Sequence, residues 1–253
     1  MLATQLFSWG MGVLMVSIRV SMLFLATPLF GSVPVPLTAR IILVIGLANA
    51  LAHNVITPAH ATIPQLFSMC AHEAIVGGAI AAGLFIGFGI FHFGGRLLDM
   101  QIGFGVANLV DIATKNIAPL LGTLFSMTAA VVFFAIDGHL AMLRVVQLSL
   151  DKIPPGHGIE ALDLGALIAQ FGTCFTFGFV IVAPVVACLF LIDAAVAFMS
   201  RTMPQMNVFV MSMALKVMIG LVLLAMIVPM AGGAMRHVFE TIFSGWMRVL
   251  GSG

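Results

Sequence analysis

The chain has 253 residues, of which 62% are apolar, 9% aromatic and 8% charged, with a net charge of +1; its mean hydropathy is +1.21. Soluble domains carry about 45–50% apolar and about 25% charged residues, so composition excludes a water-soluble enzyme and equally a disordered chain. The charge balance leaves no footprint for nucleic acid and no polybasic tail, and the expectation is an all-α, polytopic, hydrophobic helical protein.

Charges, prolines and glycines divide the chain into long neutral runs, and a spanning helix needs about 20 apolar residues. A first helix is predicted over Leu2–Thr27, stopped by Pro28; residues 1–18 hold no Lys or Arg, so no cleavable signal peptide is expected. A Pro-rich connector leads to a second helix, Leu37–Ala52, and His53–Pro64 reads as a loop. The third helix runs from Gln65 to Ile102, too long for one straight span, with glycines that invite bends. A fourth is predicted over Pro119–Leu150, a fifth over Ala161–Ser200, and a sixth from Pro204 to Pro229. Gly232 and Gly233 are expected to break the chain before a short amphipathic helix, Ala234–Leu250. About six long, kinked helices result.

Cys174 and Cys188 are 14 residues apart on one predicted helix, roughly 21 Å and beyond disulfide reach. The positive-inside rule gives no orientation: Arg40, Arg96, Lys115 and Arg201 fall on one side and Lys152, Arg236 and Arg248 on the other. There is no Tyr, and the two Trp are Trp9 and Trp246, so the aromatic belt is weak as well. Both features suit a chain surrounded by protein partners rather than by lipid alone.

Few positions carry chemistry. His72 and Glu73 begin a zinc-protease pattern, but Val76 stands where the second His belongs. Glu73 remains an ionisable group deep in an apolar run, a position often functional; pairing with another helix is its structural reading. Gly83 and Gly87 match a close helix-packing motif. Gly103 and Gly105 follow a helix rather than a strand, so a nucleotide fingerprint is rejected. The polar residues Asn108, Asp111, Thr114, Lys115 and Asn116 interrupt two apolar helices. In a membrane such a segment is either an ordinary exposed loop or one lining an internal cavity. Asp137, Gly138 and His139 form a polar break in the fourth helix, without a nucleophile to make a catalytic dyad. Ten of the 18 Met lie between Met199 and Met247, a composition suited to surfaces that repack.

Asp193 and Lys216 are isolated charges in the fifth and sixth helices. With a hairpin turn near 202–203 their axial offset is roughly 6 Å. A buried pair fixing hairpin register is one expectation; contact of each with another subunit or a water-filled lumen is the other.

The run Pro28, Leu29, Phe30, Gly31 with Pro36 to Arg40 resembles the first loop of the FliR family of flagellar biosynthetic proteins. Glu73 with the paired glycines after it, Asp137 to His139, Ser149, Pro155 and Gly156 are similar to that family in the same order. Ala183, Pro184, Asp193, the block Pro204, Gln205, Met206, Asn207, Val208, Phe209, and Leu215 with Lys216 complete the match. The run Leu109, Val110, Asp111, Ile112, Ala113 departs from it, since an Asp-Pro pair is expected there in the family.

The resemblance implies a non-enzymatic, cofactor-free subunit of a type III export gate, either flagellar or of an injectisome. Its implied partners are FliP-like and FliQ-like subunits, an FlhB-like export component, unfolded export substrates and the membrane. The implied location is the bacterial inner membrane, in the flagellar basal body. The family's plan implies a FliP-like helical part over 1–160 and a FliQ-like hairpin with an amphipathic end over 161–253. The segment 103–122 is similar to the family's pore plug, which singles out Phe104, Val106, Asn108, Asp111, Lys115, Asn116 and Pro119. Glu73, Asp137, His139, Asp193 and Lys216 are candidate buried polar positions, and Pro204, Gln205, Met206 and Asn207 a candidate hairpin turn and subunit contact. The competing reading is an ion-coupled transporter of a small solute, with Glu73, Asp193 and Lys216 as coupling groups.

Overall fold

The computed structural model describes residues 2–26, 36–52, 62–104, 119–156, 162–202 and 208–250. Among them the chain forms seven helices and no strand: α1 Leu2–Ala26, α2 Leu37–Leu51, α3 Ile63–Ile102, α4 Leu120–Ala135, α5 Gly138–Lys152, α6 Leu164–Thr202 and α7 Val208–Val249. Neutral apolar runs with no period-2 alternation leave the backbone only its own carbonyls as partners, and a helix satisfies every interior group internally.

Three helices are unusually long, at 40 residues for α3, 39 for α6 and 42 for α7. At 1.5 Å per residue each is about 60 Å long, roughly twice the 30 Å hydrocarbon core of a bilayer. Among the described residues four helices are long and apolar enough to cross a membrane, or five if the α4–α5 pair is one span.

One expectation is corrected and another borne out. Gly232 and Gly233 do not end a helix, because α7 runs unbroken through both and through Pro229. Open space lies beside both glycines; Pro229 loses one donor and crowds the carbonyl four residues back, yet apolar membrane-type helices tolerate such breakers, as α6 does at Pro184. The polar break expected at Asp137 to His139 is present and parts the fourth helix into α4 and α5. The residue that breaks it is Asp137 itself, with φ 56° and ψ 32°, a left-handed conformation that Asp tolerates better than most residues.

The chain folds into two compact units, each assembled from non-consecutive segments. The first comprises residues 1–86, 137–172 and 240–253. Its core joins Met15, Val16, Val20 and Leu23 of α1 with Val76, Ile80 and Leu84 of α3 and Ile242 and Trp246 of α7. The Trp246 indole donates to the Ile80 carbonyl at 3.1 Å, and Gly83 makes room for that ring, since a Cβ there would lie 2.6 Å from Nε1.

The second unit comprises residues 87–136 and 173–239. Its centre is aromatic: Phe239 lies 5.2 Å from Phe88, 5.4 Å from Phe133 and 5.8 Å from Phe91 between ring centroids. These tilted and edge-on pairs suit the ring quadrupoles. Large apolar side chains of α6 and α7, among them Phe190, Leu191, Phe198, Met218 and Met226, are exposed on this chain.

Candidate functional site

Arg19 is the one charge of α1, and Glu73 is the one charge in the part of α3 that belongs to the first unit. An isolated charge there is expensive unless paired and hydrogen-bonded, and the fold brings the two together. The Arg19 Nε donates to Glu73 Oε2 at 2.7 Å and its Nη2 to Oε1 at 3.1 Å, with both residues 1% exposed. This planar two-point geometry is particular to arginine.

The surrounding backbone completes the site. Arg19 Nη1 donates to Ser149 Oγ at 3.1 Å, and Nη2 donates to the Ile153 carbonyl at 3.0 Å. Ser149 in turn donates to the Val146 carbonyl. The Gly156 N–H donates to Glu73 Oε1 at 3.0 Å, from a φ of 82° that favours glycine. The helices approach this closely because Gly77 has no side chain: a Cβ there would sit 2.4 Å from the Arg19 carbonyl oxygen. The cluster ties α1, α3, α5 and residues 153–156 into one unit. Its carboxylate accepts three hydrogen bonds.

In the second unit Asp99 performs a different task. It is buried one turn before the end of α3. Its carboxylate accepts from the Leu121 N–H, at 3.1 and 3.0 Å to the two oxygens, and from the Gly122 N–H at 3.2 Å. Those are orphan donors of the first turn of α4, whose N-cap residue is Pro119 and supplies no side-chain cap. A negative charge at a helix N-terminus is stabilised by the dipole as well. Gly95 permits the contact, since a Cβ there would be 2.5 Å from the Leu121 carbonyl oxygen. One turn-pair along, His92 Nδ1 meets Ser126 Oγ at 3.3 Å. The end of α3 and the start of α4 are thereby fastened together on either side of residues 105–118.

Of the expected plug positions, Phe104 and Pro119 are described and half-buried. Val106, Asn108, Asp111, Lys115 and Asn116 lie outside the described residues, as do the expected turn residues Pro204, Gln205, Met206 and Asn207. Of the five expected buried polar residues, Glu73 is buried, while His139, Asp193 and Lys216 are half-buried and Asp137 is exposed. Asp137 faces outward because its backbone, not its side chain, serves the break: its carbonyl accepts from Leu140 and Ala141. Lys216 of α7 is ion-paired with Asp193 of α6. No group of three or more His, Cys, Asp or Glu suited to a metal occurs among the described residues. Sequence reasoning missed Arg19 and Asp99; the isolation of Arg19 in α1 was a signal of the same kind as that of Glu73.

A family profile described as "Bacterial export proteins, family 1" matches residues 11–242. The chain is 30% identical over 233 residues to the flagellar biosynthetic protein FliR of Bacillus subtilis, covering 90% of each chain. It is 25% identical over 235 residues to FliR of Escherichia coli, covering 90% of this chain and 88% of that one. Similarity extends to the secretion system apparatus protein SsaT of Salmonella typhimurium, 28% over 161 residues, or 63% of this chain and 62% of the relative. With the profile spanning most of its length and FliR-type relatives matching it nearly end to end, the chain belongs to the bacterial export protein family 1.

Proposed function

We propose that this chain is a non-enzymatic subunit of a type III protein export gate of the flagellar kind, held in the bacterial inner membrane. The observation that carries this reading is the end-to-end similarity to FliR proteins, with a shorter match to an injectisome apparatus protein. In this reading the chain forms the export pore with FliP-like and FliQ-like subunits and meets an FlhB-like component. Residues 1–160 take the FliP-like role and 161–253 the FliQ-like one. The apolar faces of α6 and α7 support it: in the most apolar 18 residues of Met211–Pro229 only 11% are buried within this chain, against 61% of the most apolar 18 residues of α3. The segment 103–122 is the plug of that pore, fastened at its flanks by Asp99.

The transporter reading loses support from the same geometry. Of its candidate coupling groups, Glu73 is buried with both carboxylate oxygens engaged by Arg19 and the Gly156 N–H, and Asp193 is paired with Lys216.

Co-expression with FliP- and FliQ-like partners, followed by mild-detergent purification and mass measurement, tests the proposal. A stable hetero-oligomer and a sharp rise in yield are expected; a long-lived monodisperse monomer indifferent to those partners overturns it. Shortening residues 106–119 should leave assembly intact and raise ion leak, and an impermeable, fully assembled variant removes the plug role.

A further inference from the structure

Helix α7 is 42 residues long and changes its outward character part-way along. From Met211 to Pro229, 19 residues or about 28 Å, every exposed side chain is apolar, with Met218, Val222, Met226 and Val228 among them. That length is close to the 30 Å hydrocarbon core of a bilayer. The one charge in the stretch, Lys216, is ion-paired with Asp193. From Arg236 onward the exposed residues are Arg236, His237, Glu240, Ser244, Met247 and Arg248, five of the six polar. Arg236, Glu240, Ser244 and Arg248 recur every four residues and so follow one face of the helix.

The opposite face of that segment is already filled. Met235, Val238, Phe239, Ile242, Trp246 and Val249 are at most 1% exposed, so no apolar face is left to lie on a membrane surface. In the first unit α5 repeats the pattern. Met142, Val145, Val146, Ser149 and Leu150 are buried, whereas Arg144, Gln147, Asp151 and Lys152 are exposed. Arg144, Gln147 and Asp151 have the i, i+3, i+7 spacing of one helical face. Charges turned toward hydrocarbon are expensive, and water satisfies their hydrogen bonds.

We propose that the exposed faces of α5 and of residues 236–248 in α7 meet water in the assembled protein, and that α7 leaves its apolar surroundings between Pro229 and Arg236. Cys188 supplies a built-in contrast. It is a free, exposed thiol of α6 with exposed Ala187, Phe190 and Leu191 beside it in sequence. Set in apolar surroundings, it is out of reach of a water-borne reagent although this chain leaves it uncovered. The water at the polar faces is either bulk solvent or that of a lumen, and probe size separates the two. The proposal is independent of the chain's role in export.

The test uses the full chain in its native membrane, with whatever subunits assemble with it, and with alanine in place of Cys70, Cys174 and Cys188. Ser244→Cys and Gln147→Cys probe the polar faces, and Val222→Cys and Met226→Cys the apolar one. A further form keeps Cys188 as its one cysteine. Each is treated from both sides of the membrane with a small charged maleimide, quenched, and read by mass. Ser244→Cys and Gln147→Cys should be labelled to completion, whereas Val222→Cys, Met226→Cys and the Cys188 form should be labelled only after SDS. A polymer-linked maleimide that also reacts at positions 147 and 244 places them in bulk solvent, and one that does not places them in a lumen; both results support the proposal. Should Ser244→Cys fail to assemble, Arg248→Cys on the same face replaces it. Protection of position 147 or 244 in the membrane, or labelling of positions 222 and 226 as fast as 244, overturns the proposal.

Discussion

Arg19 and Glu73 are 54 residues apart in sequence and meet in a two-point contact at 2.7 and 3.1 Å, with water excluded from both. Pairing of this kind adds little net stability over a well-packed apolar pair, but removal of one partner leaves an uncompensated buried charge. Glu73→Gln should therefore destabilise the chain by about 3–5 kcal/mol. Arg19→Met combined with Glu73→Leu should recover most of that loss. Thermal unfolding in detergent reads both, and a single variant that melts with the wild type shows that the pair does not hold the unit together.

Adjacent glycines of α3 should respond with opposite signs to the same change. A Cβ on Gly77 meets the Arg19 backbone, which cannot swing aside, whereas nothing lies within 4 Å of one on Gly78. Gly77→Ala should destabilise by at least the 1–3 kcal/mol typical of overpacking and should also disturb the Arg19 contacts. Gly78→Ala should stabilise by about 0.5–1 kcal/mol through helix propensity. Unfolding midpoints of the two variants measured side by side check the sign.

The helical architecture was legible because neutral runs bounded by Pro, Gly and charge permit little else. What escaped was governed by surroundings. Pro229 and the glycines at 232 and 233 look like a helix end, yet α7 continues through them, because breakers of soluble helices are tolerated in long apolar ones. Asp137 and Gly138 signalled a break, but the left-handed residue is the Asp. Glu73 was conspicuous as a lone carboxylate, and its partner was not, since no local pattern links α1 to α3. Asp99 sits in a last helical turn that otherwise ends in an apolar residue, and only the fold shows that it caps a different helix.

That cap leads to a third expectation. Asp99→Ala would leave the Leu121 and Gly122 N–H groups buried without their acceptor, at a cost of about 1–3 kcal/mol. The effect should be local: faster amide hydrogen exchange in residues 120–124 with the core of the first unit unchanged. Asp99→Asn keeps one acceptor oxygen but loses the charge–dipole attraction, so its exchange should fall between the two. Exchange in 120–124 that is identical in Asp99→Ala and wild type contradicts the capping role.

The last expectation concerns the ion pair of Asp193 and Lys216 across α6 and α7. Their side chains are 38% and 20% exposed in the chain, so the pair is more accessible than the buried contact expected from two isolated charges in apolar runs. Partial exposure limits its strength: pairs open to solvent are worth about 0.2–1 kcal/mol. The value rises where lipid or another subunit covers the site, because the attraction is then less screened. Asp193→Asn and Lys216→Met should each lower stability by about 1 kcal/mol in detergent and lower the yield of assembled complex further. Asp193→Lys with Lys216→Asp should restore part of both, since the attraction survives reversal while the geometry around each end does not. A double-mutant cycle separates the pair from its surroundings, and single effects that add within about 0.3–0.5 kcal/mol would mean that the two charges do not act on each other. A swap no better than either charge-removing variant would lead to the same conclusion for assembly, and α6–α7 register would then rest on apolar packing alone.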